Sequence, residues 1–417
     1  MKVDKAYLRI GIIGQGYVGL PLAVEFGKKF CTLGFDISND RVRELSRGID
    51  STLECSSEEI KGSVGLKFSS DIRELENCNV YIVTVPTPID KNKQPDLSPL
   101  IMASKMLGDV ISKGDVVIYE STVYPGATEE TCIPEIEKKS GLHYNLDFFA
   151  GYSPERINPG DKERRVSNIL KVTSGSTPEI ADFVDELYAS VIMAGTHKAS
   201  SIKVAEASKV IENVQRDVNI ALINELHQIF DKLNIDTSEV IEAASTKWNF
   251  MKLFPGLVGG HCIGVDPYYL LYKSKSTGYV PDLIRTSREI NDNMSSFVID
   301  SFCKRLIKSS INPLNLKVLI MGFSFKPNCP DIRNTKVVDI VLGLRELGFS
   351  VTVYDPWVNI QEAKYIYNID VVNQINDFHD IGLIMVEHDE INTGLENKEF
   401  KLSYTYDFRN GKLNTYH

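Results

Sequence analysis

No CxxC pair occurs in this 417-residue chain, and its seven cysteines, at positions 31, 55, 78, 132, 262, 303 and 329, are odd in number and scattered. That pattern argues against a disulfide framework and against a zinc site, and it fits a reduced compartment. Lys and Arg nowhere gather into a cluster, and 46 of them against 56 Asp and Glu leave a formal charge of −10, so the footprint of a nucleic-acid binder is lacking. A membrane-spanning run is lacking too. Lys2, Asp4 and Lys5 charge the first residues, and the apolar stretch behind them is broken by Gly14-Gln15-Gly16. The expectation is a cytoplasmic protein with no signal peptide and no membrane partner. Low-complexity tracts and short repeats are missing, and from Ser200 to Leu233 there is neither proline nor glycine.

What is present is enough apolar residue, 43%, to bury more than one core, so two or three domains are expected. Leu8 to Ile13 reads as a strand, Leu20 to Phe30 as a helix and Cys31 to Phe35 as a second strand closing at Asp36. Val80–Val85 and Val116–Glu120 continue the alternation, which predicts a parallel doubly wound α/β sheet. Further strand-like stretches fall at Phe148–Gly151 and Ile169–Thr173. Apolar positions Ile202, Ala205, Val210, Val214, Val218, Ala221, Leu222 and Leu226 then follow a helical period. At 1.5 Å per residue that helix is about 50 Å long, more than one domain needs, so it is expected to join two lobes and to offer a dimer surface. Lys317–Met321, Val337–Leu347 and Ser350–Tyr354, closing at Asp355, predict a second, smaller α/β sheet.

Gly14-Gln-Gly16-Tyr17-Val18-Gly19 follows the first strand and opens the first helix, with Asp36 22 positions after Gly14. Gly14 would permit the tight turn, Gly16 a close approach to a pyrophosphate and Gly19 packing of helix on strand, while Asp36 would hold ribose hydroxyls and repel a 2′-phosphate. NAD is therefore expected over NADP. A glycine-rich turn can be purely structural, but here strand, helix and acid are in register. Val83-Thr84-Val85-Pro86-Thr87-Pro88 and Glu120-Ser121-Thr122-Val-Tyr-Pro-Gly126 fall at strand ends where open sheets bind ligands. The bland alternative is that the prolines simply terminate those strands and the hydroxyls satisfy the turns. Thr122 is a candidate contact to nicotinamide or to water. Glu155, in Ser153-Pro154-Glu155-Arg156, is either a base or a solvated carboxylate. Lys209 and Asn213 share a helix face and would suit an oxyanion, though most helical lysines merely solvate a surface.

Cys262 lies in Gly259-Gly260-His261-Cys262-Ile-Gly-Val265-Asp266. Alcohol oxidation needs a nicotinamide and a base but no sulfur. A thiol beside glycines that admit a substrate, a histidine that can lower its pKa and an aspartate that can polarise water points to capture and re-oxidation of an aldehyde. The bland alternative is a small buried hydrophobe, assigned here to the other six cysteines.

Taken together, Gly14-x-Gly16-Tyr-Val-Gly19, Pro86-Thr-Pro88, Ser121-Thr122, Pro154-Glu155, Lys209 with Asn213, Gly-Gly-x-Cys262 with Asp266, and Phe325-Lys326-Pro-Asn-Cys-Pro-Asp-Ile-Arg333 resemble the UDP-glucose/GDP-mannose dehydrogenase family, in family order over nearly the whole chain. The resemblance implies two Rossmann-like domains joined by a long central helix that forms a homodimer interface: residues 1–195 binding NAD, 196–300 carrying the helix and the cysteine loop, and 301–417 binding the UDP-sugar. It implies NAD-dependent oxidation of a nucleotide sugar at C6 to the uronate through a Cys262 thiohemiacetal and thioester, with Asp266 and Thr122 managing water and protons, Glu155 as base, and Lys209 with Asn213 on the oxyanion. Cofactor contacts would come from Gly14, Gly16, Tyr17, Val18, Gly19, Asp36, Arg41, Thr84, Pro86, Thr87, Ser121, Thr122 and Arg333. Substrate contacts would come from Glu155, Arg156, Lys209, Asn213, Gly259, Gly260, Tyr268, Phe325 and Lys326.

Where the UDP-glucose branch carries lysine before the aspartate, this chain has Val265. With Lys247-Trp-Asn-Phe250 and Pro255 to Tyr269, it resembles the branch that oxidises UDP-N-acetylhexosamines for capsule, O-antigen or Vi-type polysaccharide. UDP-N-acetylglucosamine or UDP-N-acetylgalactosamine is the expected substrate, with UDP-N-acetylmannosamine or UDP-glucose as alternatives. The rivals outside this reading are a two-electron hydroxyacid-type dehydrogenase and a nucleotide-sugar-binding regulator without activity.

Overall fold

The computed structural model describes residues 7–156 and 165–416. The expectation of no signal peptide concerns in part residues 1–6, which lie outside these. Among the described residues no helix is long and apolar enough to cross a membrane. The chain divides into two compact units, Met1–Glu212 with Tyr268–Gly278, and Asn213–Pro267 with Tyr279–His417.

In the first unit β1 (Arg9–Ile13), β2 (Cys31–Phe35), β3 (Leu66–Ser69), β4 (Val80–Val83), β5 (Val116–Tyr119) and β6 (Phe149–Tyr152) form one sheet in the order β3-β2-β1-β4-β5-β6, every pair parallel. All four residues of β4 and of β5 are buried, the unbroken apolar run that a sheet covered on both faces demands. Ile10, Ile12, Val80, Ile82, Val116 and Ile118 pack with Leu22 and Phe26 of the helix Gly19–Gly27 and with Phe183 and Tyr188 of the helix Pro178–Ala189. The strand foreseen at Ile169–Thr173 is β7 (Lys171–Thr173), and it leaves the main sheet to pair with β8 (Thr196–Lys198). β4 stops two residues before its expected end because the Thr84 hydroxyl turns back to the Ile13 and Gly14 carbonyls, at 2.9 and 2.8 Å.

In the second unit β9 (Lys317–Met321), β10 (Ser350–Tyr354), β11 (Val371–Val372), β12 (His379–Ile384), β13 (Leu402–Asp407) and β14 (Lys412–Thr415) follow the order β11-β10-β9-β12-β13-β14, parallel except for β13 with β14. Phe302, Val318, Ile320, Val337, Ile340, Val353, Ile381 and Leu383 make its core. Each sheet reverses its winding between its first and fourth strands, and that switch point is where an open α/β sheet leaves a crevice.

The long helix spans Ile202–Leu233, 32 residues. Ile202, Ala205, Val210, Val214 and Ala221 are buried as the periodicity predicts, but Leu222 is 53% exposed. It belongs instead to a second apolar stripe with Val204, Ile211, Ile229 and Leu233, all exposed.

Candidate active site

The glycine turn after β1 is built by contacts that assign each glycine its own reason. Gly14 has φ +94° and donates its N–H to the Phe35 carbonyl at 2.8 Å. A Cβ on Gly19 would lie 1.8 Å from the Gly14 carbonyl oxygen and 2.5 Å from Thr84 Oγ1, so only glycine lets the helix start there. Gly16 is the opposite case. No described atom lies within 4 Å of where its Cβ would be, so packing does not require glycine, and the bare backbone is left open to a pyrophosphate at a helix N-terminus. Asp36 follows β2 and accepts from Gln15 N and Ser38 N, each at 2.9 Å and on different oxygens, so each oxygen keeps a lone pair for a ribose hydroxyl. The residues present therefore fit NAD.

Other residues expected at the cofactor are spent partly on the turn itself. Arg41 Nε donates to the Gln15 carbonyl at 2.9 Å and its guanidinium pairs with buried Asp50 at 2.7 Å. Burial pushes Asp50 up, yet bonds from Thr52, Cys55 and Arg41 leave it below the usual carboxylate range. Tyr17 and Val18 are half-buried in the turn and Pro86 is exposed. The Thr87 carbonyl accepts from Tyr269 at 2.9 Å, Ser121 Oγ donates to Val85 O at 2.6 Å, and Thr122 is half-buried beside it. Tyr268 carries Lys93 over its ring, 5.3 Å from the centroid.

Glu155 is not a solvated loop carboxylate. It is buried, and Lys171 Nζ bridges it and Glu120 at 2.6 Å each, while the Tyr188 hydroxyl donates to Glu120. Burial raises Glu120, and although burial opposes its charge Lys171 is raised because two carboxylates face it. Arg156 pairs with Glu212 at 2.5 Å and donates to the Lys209 carbonyl at 3.3 Å. Glu206, one turn before Lys209, is pushed by burial up to about 7 while accepting the Gly126 and Thr128 amides. Lys209 itself is buried rather than surface-solvating. Lys171, Glu120, Tyr188 and Glu206 escaped the sequence reading. The faint signal was an acid closing the apolar β5 and a lysine opening β7.

In the second unit Asn213 and Asp266 are buried and joined by Asn213 Nδ2 donating to Asp266 Oδ2 at 2.6 Å. Cys262 is half-buried, and its carbonyl accepts from Val265 N and Asp266 N at 3.1 and 2.8 Å, so it sits in the turn leading into the helix Asp266–Ser276. The two glycines before it serve packing within the protein. Gly260 has φ +77° and a Cβ there would be 2.9 Å from the Phe325 ring, while one on Gly259 would be 2.9 Å from the Asn334 carbonyl oxygen. Gly260 N donates to the Arg333 carbonyl and Asn334 Nδ2 to the Gly260 carbonyl, both at 3.0 Å. The cysteine loop and the Phe325–Arg333 motif are thus one assembly. Arg333, expected at the cofactor, lies in this unit with its guanidinium on Asp331. Beside the assembly a cavity of about 170 Å³ brings the expected Gly259, Phe325 and Lys326 together with Lys336, Glu387 and Arg409, which sequence reasoning did not find.

Residues 8–192, 203–293 and 319–411 match the NAD binding, central and UDP binding domains of the UDP-glucose/GDP-mannose dehydrogenase family. A UDP-N-acetyl-D-glucosamine 6-dehydrogenase of Pseudomonas aeruginosa is 60% identical over 94% of this chain and 93% of its own. One of Salmonella typhi is 54% identical over 92% and 90%. The structure of a UDP-D-ManNAc dehydrogenase from Pyrococcus horikoshii superposes with a TM-score of 0.86 at 30% identity, over 97% of this chain and 96% of that one.

Proposed function

Because the chain belongs to the UDP-glucose/GDP-mannose dehydrogenase family, we propose that it oxidises C6 of UDP-N-acetylglucosamine to the carboxylate, supplying an aminouronate for surface polysaccharide. The observation that carries the sugar is the name borne by relatives at 60% and 54% identity. The cofactor is NAD, which accepts one hydride in each of two oxidations.

The roles of the chain's own residues follow from the chemistry. Glu155 takes the proton of the C6 hydroxyl as the first hydride leaves. Cys262 adds through sulfur to the resulting aldehyde, and Lys209 with Asn213 stabilises the oxyanion of the thiohemiacetal. Loss of the second hydride gives a thioester. Water, oriented by Asp266 and Thr122, then cleaves the C–S bond and returns the thiol. The bond from Asn213 to Asp266 supports this division of labour, since it fixes the carboxylate while it awaits water. The Gly259, Phe325 and Lys326 cavity suits the UDP end, with Arg409 added. The three-part division at 195 and 300 is retained as a functional one. A homodimer through the long helix is part of the same proposal, supported by the exposed stripe of Val204, Ile211, Leu222, Ile229 and Leu233.

The test is to supply NAD with UDP-N-acetylglucosamine and its galacto, manno and glucose counterparts, and to count NADH per uronate while light scattering gives the mass. Two NADH per uronate, fastest with the gluco N-acetyl sugar, is expected from a dimer. Cys262→Ser, which has no sulfur to form the thioester, is expected to slow uronate formation at least about a hundredfold and leave NAD affinity unchanged. Full four-electron turnover by that variant refutes the covalent route, and one NADH per substrate favours a two-electron dehydrogenase.

A further inference from the structure

The turn that carries Phe325 and Lys326 is held by a histidine that lies outside it in the chain. His388, fully buried, precedes the helix Asp389–Glu396 and uses both ring nitrogens. Asn328 N donates to Nδ1 at 3.0 Å, while Nε2 faces Asp355 Oδ2 at 3.0 Å and Ser324 Oγ at 3.2 Å. A backbone amide only donates, so Nδ1 bears no proton and the imidazole proton is on Nε2. Ser324 Oγ donates its own proton to the Lys326 carbonyl at 2.8 Å, which leaves it to accept from Nε2 alongside Asp355. The histidine thus grips the turn at both ends, Ser324 and Asn328, with Lys326 between them. Asn328 has φ +54°, and its side-chain oxygen accepts from Asp389 N at 3.0 Å, capping the helix that His388 precedes but does not cap. Trp357 lies nearly parallel to the imidazole, at 16°.

We propose that His388 is a positioning residue for nucleotide binding, its unprotonated Nδ1 holding the Ser324–Asn328 turn so that Phe325 and Lys326 keep their places at the cavity. The inference rests on reading that cavity as the UDP end of the substrate site. Ser324, Phe325, Lys326 and Pro327 line the cavity, whereas His388 acts through the turn. Its two nitrogens divide the work. The Nε2 side joins the buried cluster of Asp355, which also accepts the Phe323 and Ser324 amides, and so serves stability. The Nδ1 side reaches Asn328, an exposed residue whose amide would take water if released, and so serves the shape of the turn. The turn also touches the cysteine loop, since the Phe325 ring packs on Gly260, two residues before Cys262.

The two nitrogens can be removed one at a time. In His388→Gln the side-chain amide nitrogen replaces Nε2 and keeps a donor for Asp355, but the Asn328 amide loses its acceptor. In His388→Asn the side-chain oxygen replaces Nδ1, and Asp355 loses its donor. UDP is titrated calorimetrically into the full-length wild type and both variants, alongside thermal unfolding and kinetics with UDP-N-acetylglucosamine and NAD. His388→Gln is expected to melt within about 2 °C of wild type, yet to bind UDP about tenfold more weakly. Its KM for the nucleotide sugar should rise by a similar factor, with kcat within about threefold and NAD affinity unchanged. His388→Asn is expected to melt about 4 °C lower or more, yet to keep its UDP affinity within about threefold. A merely structural histidine would make UDP affinity follow melting temperature across the pair, and that result overturns the inference. So does a His388→Gln protein that binds UDP as wild type, or nitrogen NMR of histidine-labelled protein that finds the His388 proton on Nδ1. Should one variant not fold, the other decides, His388→Gln by losing UDP at unchanged melting or His388→Asn by keeping UDP at lowered melting. A wild type that does not bind UDP refutes the reading of the cavity and this inference with it. A wild type that binds UDP but turns over no UDP-sugar refutes the proposed function, while the UDP titrations still decide the role of His388.

Discussion

The two sheets of this protein begin alike and diverge within three residues. Gly14 after β1 and Gly322 after β9 both have φ near +90°, and both donate to the last residue of the adjacent strand, Phe35 and Tyr354, at 2.8 Å. An aspartate then follows that strand in each, Asp36 and Asp355. In the first unit the turn runs on through Gln15 and the open Gly16 into a helix beginning at Gly19. In the second it runs into Phe323, fully buried, and the next helix begins only at Val337. Asp355 has no capacity left over: it accepts from Phe323 N, Ser324 N, Trp357 N and Val358 N, and faces the buried His388 at 3.0 Å. Asp36 keeps lone pairs for a ligand and Asp355 is a structural weld. One topology thus yields a dinucleotide site in one place and a rigid platform for the Phe325–Lys326 cavity in the other.

The largest effect expected from breaking this comparison is that of Asp355→Ala, which orphans several buried donors at once and should cost about 3–5 kcal/mol. Asp36→Ala should cost only about 1–2 kcal/mol, yet weaken NAD about tenfold and relax discrimination against NADP. Thermal unfolding and NAD titration of both variants would collapse the distinction if Asp36→Ala were the less stable, or if the NAD/NADP preference did not move. Burial pushes Asp355 up, but bonds from His388 and from the Phe323 and Ser324 amides leave it below the ordinary carboxylate range. Its stabilisation is therefore complete above the unfolded-state pKa, about 3.9, and is lost as pH falls through the lower folded value, so the Asp355→Ala deficit should shrink in acid.

Much of the first unit was readable because its signals are local. Gly14, Gly16, Gly19 and Asp36 stand in one short stretch, and the turn geometry that each glycine serves follows from strand and helix patterns beside it. Strands β2, β9 and β10 fall at their expected residues for the same reason. What stayed hidden depends on chain distance. Lys171 meets Glu120 across 51 positions and His388 meets Asp355 across 33, and no periodicity encodes either meeting. A strand closing at Asp355 was visible in the sequence, but whether that acid would be free or consumed was decided by a histidine outside the motif. Leu222 failed for a different reason: one helix with two apolar faces satisfies the same period on either.

A smaller and sharper test uses the glycines. Gly322→Ala places a methyl group 2.5 Å from Val386 Cβ and 2.6 Å from its carbonyl oxygen, in a backbone conformation alanine resists, and should cost about 2–4 kcal/mol. Gly16→Ala meets no described atom within 4 Å, so melting should move by no more than about 1–2 °C. Its methyl group nevertheless projects where the pyrophosphate must approach, and NAD affinity should fall about tenfold or more. The pair separates a glycine kept for packing from one kept for a ligand, measured by calorimetry with and without NAD. A stable Gly16→Ala protein that binds NAD as wild type would remove the ligand role from that glycine. A Gly322→Ala protein that melts as wild type would show that the second turn is not the close-packed weld that distinguishes it from the first.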